Sequence, residues 1–235
     1  EFGAGSLAKT PLLLRAIRPG AYVPVDISGE FLRDSARQLA RDFPGLPILP
    51  VEADFTQAFA LPPAGCPEGR LGFFPGSTIG NFEPSEAIDL LRSMRRSLGG
   101  EAMLLIGMDR IKGQDVLIPA YDDAAGVTAD FNLNLLTRIN RELGGTVPVS
   151  AFVHEARWND DAARIEMHLV ARRNLNFEVA GELFAMAAGE SIHTESSHKY
   201  DDRTARLLLR AGGWEPVKAW QDEAELFSLH LARAI

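Results

Sequence analysis

The sequence contains a single cysteine, Cys66, among its 235 residues. No intrachain disulfide can form, and such sparing use of cysteine points to a reducing compartment. Long apolar runs are also missing. Nothing approaches the roughly 20 residues needed to span a bilayer, and no signal-peptide pattern is visible. Positive charge is in deficit, with 24 Lys and Arg against 32 Asp and Glu, for a formal net charge of −8. That balance disfavours a nucleic-acid partner held by phosphate neutralisation, and no basic run offsets it. Five scattered histidines without a cysteine cluster argue against a structural metal site. What remains is a globular protein, expected to be soluble and cytoplasmic, with a small molecule as its partner and a monomer as its simplest assembly. Its 46% hydrophobic content suits a sizeable core, and its length suits one large domain or a domain carrying an insertion.

The first half alternates helical and strand patterns. A glycine step, Gly3-Ala4-Gly5, leads into a helix expected over Leu7 to Ala16. Strands are expected at Tyr22 to Asp26, Pro47 to Val51, Leu71 to Phe74 and Ala102 to Met108. Between them, helices run from an N-cap at Ser28 to Phe43 and from Pro84 to Leu98, where Gly99-Gly100 stops the second. Such alternation argues for a parallel sheet with helices on both faces. From Lys112 to Gly145 the pattern turns mostly helical. Antiparallel strands are then expected at Val147 to Trp158, Arg164 to Arg173 and Leu175 to Val179, with a linker or short helix over Leu183 to Gly189. A helix from Asp201 to Ala211 and a terminal hairpin, Trp214 to Gln221 with Glu225 to Ala234, complete the chain. The expected architecture is α/β. A Rossmann-like domain made of residues 1–111 and 199–235, truncated at its amino end, is interrupted by an α+β domain over 112–198.

In open parallel sheets, ligands bind beyond the carboxyl ends of strands. Gly3 and Gly5 can adopt positive φ and bring bare backbone against a nucleotide-like cofactor. Asp26 closes the strand expected from Tyr22, about 20 residues further on, where an acid can accept hydrogen bonds from ribose hydroxyls or simply open a turn. Asp54-Phe55 follows the next strand and can hold an adenine, by its polar edge and its face respectively. Phe74-Pro75-Gly76-Ser77-Thr78-Ile79-Gly80-Asn81-Phe82 ends the strand expected from Leu71 in small polar groups. The Asn81 amide can both donate to a carboxylate and accept from an amine. Gly3-x-Gly5-x-x-Ala8 also satisfies a dinucleotide fingerprint, which keeps a nicotinamide-dependent dehydrogenase open as an alternative. The histidines, His168 in a strand pattern and His193 and His198 in a polar loop, are expected to be structural. Asp122-Asp123 is expected to start a helix. Cys66 lies in a loop without an evident base.

These segments occur in order with Ala-Tyr-Asp-Asp around Tyr121, Ile165-Glu166-Met167-His168-Leu169 and Ile192-His193-Thr194-Glu195-Ser196-Ser197-His198-Lys199-Tyr200. Over essentially the whole chain, the set resembles the histidine-specific, S-adenosylmethionine-dependent methyltransferases that make trimethylhistidine (hercynine) in ergothioneine biosynthesis. The resemblance implies a Rossmann-like methyltransferase with an inserted substrate-binding domain. It implies cofactor contacts from Gly3 and Lys9 to the methionine portion, Asp26 to the ribose, and Asp54 with Phe55 to the adenine. Asn81 and Tyr121 would hold the α-amino and α-carboxylate end of the substrate, Glu195 and Ser197 its imidazole, and Met167 would line the pocket. It further implies an amino-terminal region, with a pocket tyrosine, that this sequence does not contain. Methylation of another amino acid or a histidine derivative, or a truncated non-catalytic relative, are the neighbouring alternatives. Without the resemblance, Thr194-Glu195-Ser196 reads equally as a capped turn before the helix at Asp201.

Overall fold

The computed structural model describes residues 1–5, 7, 9–62 and 69–235, so that Ala8 and Cys66 fall outside the described residues. The chain divides into two compact units, Glu1–Arg110 with Tyr200–Ile235, and Ile111–Lys199.

The first unit opens with α1 (Thr10–Ile17), β1 (Val25–Asp26), α2 (Gly29–Asp42), β2 (Val51–Glu52), β3 (Leu71–Phe74), α3 (Pro84–Leu98) and β4 (Met103–Asp109). Helix α1 starts three residues later than expected. Leu7 sits at φ 55° and closes a turn onto the Ala4 carbonyl, and Pro11 fits only in a first helical turn. The first two expected strands shrink to β1 and β2, with one further bridge between Tyr22 and Ile48. Pro24, Pro47 and Pro50 have no N–H to give a ladder. Glu1 and Phe2 still hold a strand position. Phe2 N–H donates to Phe73 O at 3.0 Å and Val25 N–H donates to Glu1 O at 2.8 Å. The glycine loop therefore leaves from a strand flanked on both sides.

The second unit holds α4 (Gln114–Tyr121), α5 (Val127–Leu143), β5 (Phe152–Asn159), β6 (Arg164–Ala171), β7 (Leu175–Val179), β8 (Glu182–Met186) and β9 (Ser191–His198). Strands β5, β6 and β9 form an antiparallel sheet in that order, and β7 and β8 a separate hairpin. Two expectations are corrected here. Residues 182–186 form a strand rather than a linker or helix, and residues 191–198 a strand rather than a polar loop or capped turn. Each is fixed by ladder bonds to its neighbour, which outweigh local preferences for turns. Asp123 starts α5 by accepting from the Val127 and Thr128 amides. One face of this sheet packs on the helices: Phe152 and Leu169 on Leu136 of α5, and Ala156 and Ile165 on Leu117 of α4.

The chain then returns to the first unit as α6 (Asp202–Ala211), β10 (Trp214–Gln221) and β11 (Phe227–Ala234). β4 pairs in parallel with β3 and antiparallel with β11, which pairs with β10. Leu90, Leu91 and Met94 of α3 and Leu209 of α6 bury against Leu104, Ile106 and Met108 of β4. Each such side chain contributes about 1.5–3 kcal/mol. Leu14 of α1, with Leu32 and Leu39 of α2, makes a second cluster with Ala4 and Tyr22. The parallel strands of this unit are thus held so that their carboxyl ends carry its loops.

Candidate functional site

In the first unit, the candidate residues fall at those strand ends. Gly3, at φ 65°, leaves the first strand, and a Cβ there would lie 3.3 Å from the Phe55 ring. Phe55 is half-buried and meets Phe74 edge-on at 5.7 Å. The Gly5 amide donates to Asp26 Oδ2 at 3.1 Å, and the Ser28 amide donates to Oδ1 at 2.9 Å. Asp26 thus ties the glycine loop to the start of α2, with Ser28 at the N-cap position but making no side-chain cap. Glu1 is a further member that the sequence reading did not single out. Its carboxylate accepts from the Thr10 and Tyr22 hydroxyls, fastening both ends of the loop. Lys9 is exposed at the start of α1. Asp54 is exposed, and its carboxylate accepts from the Thr56 hydroxyl and amide, which hold it below the usual carboxylate range.

The loop after β3 ends in a short 3₁₀ turn, Thr78–Asn81. Ser77 enters it at φ 57° and accepts the Asp109 amide on its Oγ at 2.8 Å. Gly107 lets the Pro75 carbonyl cross β4, since a Cβ there would come within 2.2 Å of that oxygen. Asn81 sits at the end of the turn, its amide exposed and bonded to no other described residue.

In the second unit, the candidates gather on one face of the sheet. Met167 and Glu195 are register partners across β6 and β9, as are Ile165 and Ser197. Residues two apart share a face, so Met167, Glu195 and Ser197 lie on the side where Ile165 meets α4. Tyr121, at the end of α4, packs on that cluster. Its hydroxyl lies 2.9 Å from Ser197 Oγ. Lys199 completes a triangle, its buried ammonium donating to Tyr121 Oη at 2.7 Å and Ser197 Oγ at 2.8 Å. The ammonium also lies 4.6 Å from the Tyr121 ring centroid, over its negative face. Glu195 differs from its neighbours. Burial pushes its carboxyl above the usual range, and that carboxylate has no hydrogen-bond partner among the described residues. A half-buried acceptor left open, two residues from a hydroxyl on the same face, is a place for a ligand N–H.

Behind Tyr121, His154 fixes the backbone. Its Nε2 lies 2.7 Å from the Tyr121 carbonyl and its Nδ1 lies 2.9 Å from Asn132 Nδ2. A carbonyl can only accept and an amide nitrogen can only donate, so Nε2 donates to the Tyr121 carbonyl and Nδ1 accepts from Asn132. Asn132 and Lys199 escaped the sequence reading, whereas His154 is one of the histidines expected there to be structural. Lys199 nonetheless stands within the quoted motif that ends at Tyr200.

On the other face, Glu166, His168 and His193 bring ligand-type atoms within 4.8 Å of one another. Those atoms are already engaged. Glu166 accepts from Asn159, Arg164 and possesses a third contact at 3.1 Å to His168 Nε2. Burial raises its pKa, but these bonds outweigh burial and draw it down to about 2. The Arg164 guanidinium, 2.9 Å from Glu166 Oε1, already supplies the positive charge a cation would bring. The geometry favours an internal ion-pair network.

The family model described as "Histidine-specific methyltransferase, SAM-dependent" matches residues 1–234. The histidine N-alpha-methyltransferase of Mycolicibacterium smegmatis is 38% identical over 239 residues, covering 99% of this chain and 74% of that protein. Ergothioneine biosynthesis protein 1 of Neurospora crassa is 27% identical over 243 residues, covering 98% of this chain and 27% of that protein. Among solved structures, the CcbJ methyltransferase of Streptomyces caelestis matches with a TM-score of 0.53 at 17% identity, covering 99% of this chain and 81% of that one. The last likeness bears on the fold alone.

Proposed function

The chain belongs to the histidine-specific, S-adenosylmethionine-dependent methyltransferases, and we propose from that membership that it methylates the α-amino nitrogen of L-histidine to trimethylhistidine (hercynine) in ergothioneine biosynthesis. The observation that carries this reading is the open, half-buried carboxylate of Glu195 beside Ser197 and Tyr121. A histidine side chain offers what that face lacks, one N–H to a carboxylate and one ring nitrogen to a hydroxyl.

The strand-end loops of the first unit fit the cofactor. Gly3 and Gly5 present backbone without side chains, Asp26 offers a carboxylate to ribose hydroxyls, and Phe55 a half-buried ring to an adenine beside Asp54. Gly3 and Lys9 are assigned to the methionine portion. S-adenosylmethionine, when bound, supplies a methyl group made electrophilic by its sulfonium. The chain's own residues supply position. Asn81 and Tyr121 orient the amino-acid end of the substrate, Glu195 and Ser197 fix the ring, and Met167 walls the pocket. The substrate's α-ammonium would lose its proton to water before its nitrogen could accept the methyl group that the bound cofactor would supply. No residue is assigned as a general base. Orientation of this kind can account for roughly 7–11 kcal/mol of barrier lowering. The net charge of −8 and the single cysteine support a small-molecule substrate and a cytoplasmic setting.

The test is incubation with S-adenosylmethionine and a panel of amino acids, read by mass spectrometry. Mono-, di- and trimethylated histidine are expected, with other amino acids unmodified. Methylation of another amino acid in preference to histidine would overturn the reading.

A further inference from the structure

We propose that Lys199 sets the direction of the hydrogen bonds at Ser197, turning that hydroxyl into an obligatory donor and making the site selective for neutral imidazole over imidazolium. This deepens the histidine reading and rests on it. An ammonium only donates, so the contacts at 2.7 and 2.8 Å each occupy a lone pair, one on Tyr121 Oη and one on Ser197 Oγ. The two hydroxyls, 2.9 Å apart, share one further proton between them. Phenol is the stronger acid, and Lys199 over its ring strengthens it as a donor, so Tyr121 donates inward. Both lone pairs of Ser197 Oγ are then filled, and its own proton points away from the triangle.

A ligand atom meeting Ser197 must therefore be an acceptor. Glu195 is the opposite kind of group, a carboxylate that accepts only. The two residues stand roughly 7 Å apart along β9, from about 3.4 Å of rise per residue. An imidazole with one hydrogen bond at each nitrogen spans that separation. One tautomer of the neutral ring satisfies both partners. Imidazolium, with two N–H groups, leaves a donor facing a donor at Ser197. Were Lys199 unable to donate, Ser197 would recover a lone pair and accept either form. Lys199 thus acts as a positioning residue, through Ser197.

The proposal is tested by titrating L-histidine into the protein with S-adenosylhomocysteine between about pH 7.5 and about pH 5.5, a range in which the imidazole gains its proton while the α-ammonium keeps its own. For the unaltered chain, affinity is expected to fall about tenfold across the range, following the loss of neutral imidazole. Ring-nitrogen NMR of isotope-labelled histidine should report a single neutral tautomer at both ends. Lys199→Met should bind more weakly at high pH and change less than about twofold across the range. Lys199→Arg, which keeps the donors, should restore the slope. Ser197→Ala, which removes the hydroxyl while leaving the lysine, provides the same flattening should Lys199→Met fail to fold. Bound imidazolium in the unaltered chain, or an unchanged slope in the folded Lys199→Met or Ser197→Ala variant, would overturn the proposal. If histidine is neither bound nor methylated by the unaltered chain, the functional reading fails instead.

Discussion

The two units present their candidate residues in opposite ways. In the first, the strand-end loops work through backbone: glycines at positive φ, an amide bonded to Asp26, and exposed side chains at Lys9, Asp54 and Asn81. In the second, the end of α4 and the end of β9 bring side chains into an interlocked set, half-buried Tyr121 with buried Ser197 and Lys199, and Glu195 is left open beside them. A backbone cradle recognises what every S-adenosylmethionine shares. Side chains with assigned donors and acceptors can tell one amino acid from another. On the proposed function, cofactor affinity rests mainly on the first unit and recognition of the imidazole on the second, so that each can be disturbed alone.

The largest expected effect breaks the first unit's half. Gly3→Val puts a β-branched residue at φ 65° and a Cβ 3.3 Å from Phe55. The left-handed backbone alone costs about 1–2 kcal/mol, and displacing Phe55 adds to it, so cofactor affinity should fall about 30-fold or more. Calorimetry with S-adenosylmethionine reads this directly. An unchanged affinity would mean that the glycine loop does not approach the cofactor.

The same contrast explains what could be read from sequence. The first unit was legible because apolar runs alternate with helices, and because Asp26 and the loop ending at Asn81 follow those runs directly. Proline hid how short β1 and β2 are. In the second unit, β9 was misread because its residues include Ser191, His193, Glu195 and Ser197, none of them apolar. The polar groups that make its face a candidate site removed the hydrophobic alternation by which strands are recognised. Lys199 was passed over for a related reason. Lysine is almost never fully buried unless paired, and its partners, Tyr121 and Ser197, are far apart or two residues away in sequence. Only the register of β6 with β9 brings the set together.

A middle-sized effect sharpens the second unit's half. His154→Leu removes the donor to the Tyr121 carbonyl and leaves buried Asn132 only its longer bond, 3.4 Å, to the His168 carbonyl. Weakening such bonds costs roughly 1–3 kcal/mol, which lowers Tm by roughly 2–12 °C in a chain of this length. With Tyr121 loosened, KM for histidine should rise while cofactor affinity stays within about twofold. Thermal melts and steady-state kinetics check the pair. A normal KM at reduced Tm would limit His154 to a packing role.

The smallest expected effect has the sign least expected of a damaged site. Burial holds the Glu195 carboxyl above its ordinary range. The folded chain therefore keeps that proton to higher pH than the unfolded chain. The stability this contributes is fully present below the unfolded value of about 4.3, and is lost as pH rises through the raised value. At neutral pH the charged, unpartnered carboxylate is a cost to the fold. Glu195→Gln removes the charge and keeps the shape, so Tm should rise by roughly 1–3 °C near neutral pH, with the gain shrinking toward acid pH. Histidine affinity should fall in the same variant, because an amide is a weaker acceptor for the ring N–H than a carboxylate. Thermal melts across pH, paired with histidine titrations, measure both. A lower Tm at neutral pH would mean that Glu195 serves the fold rather than standing ready for a ligand, since groups kept for binding are often held at a cost in stability.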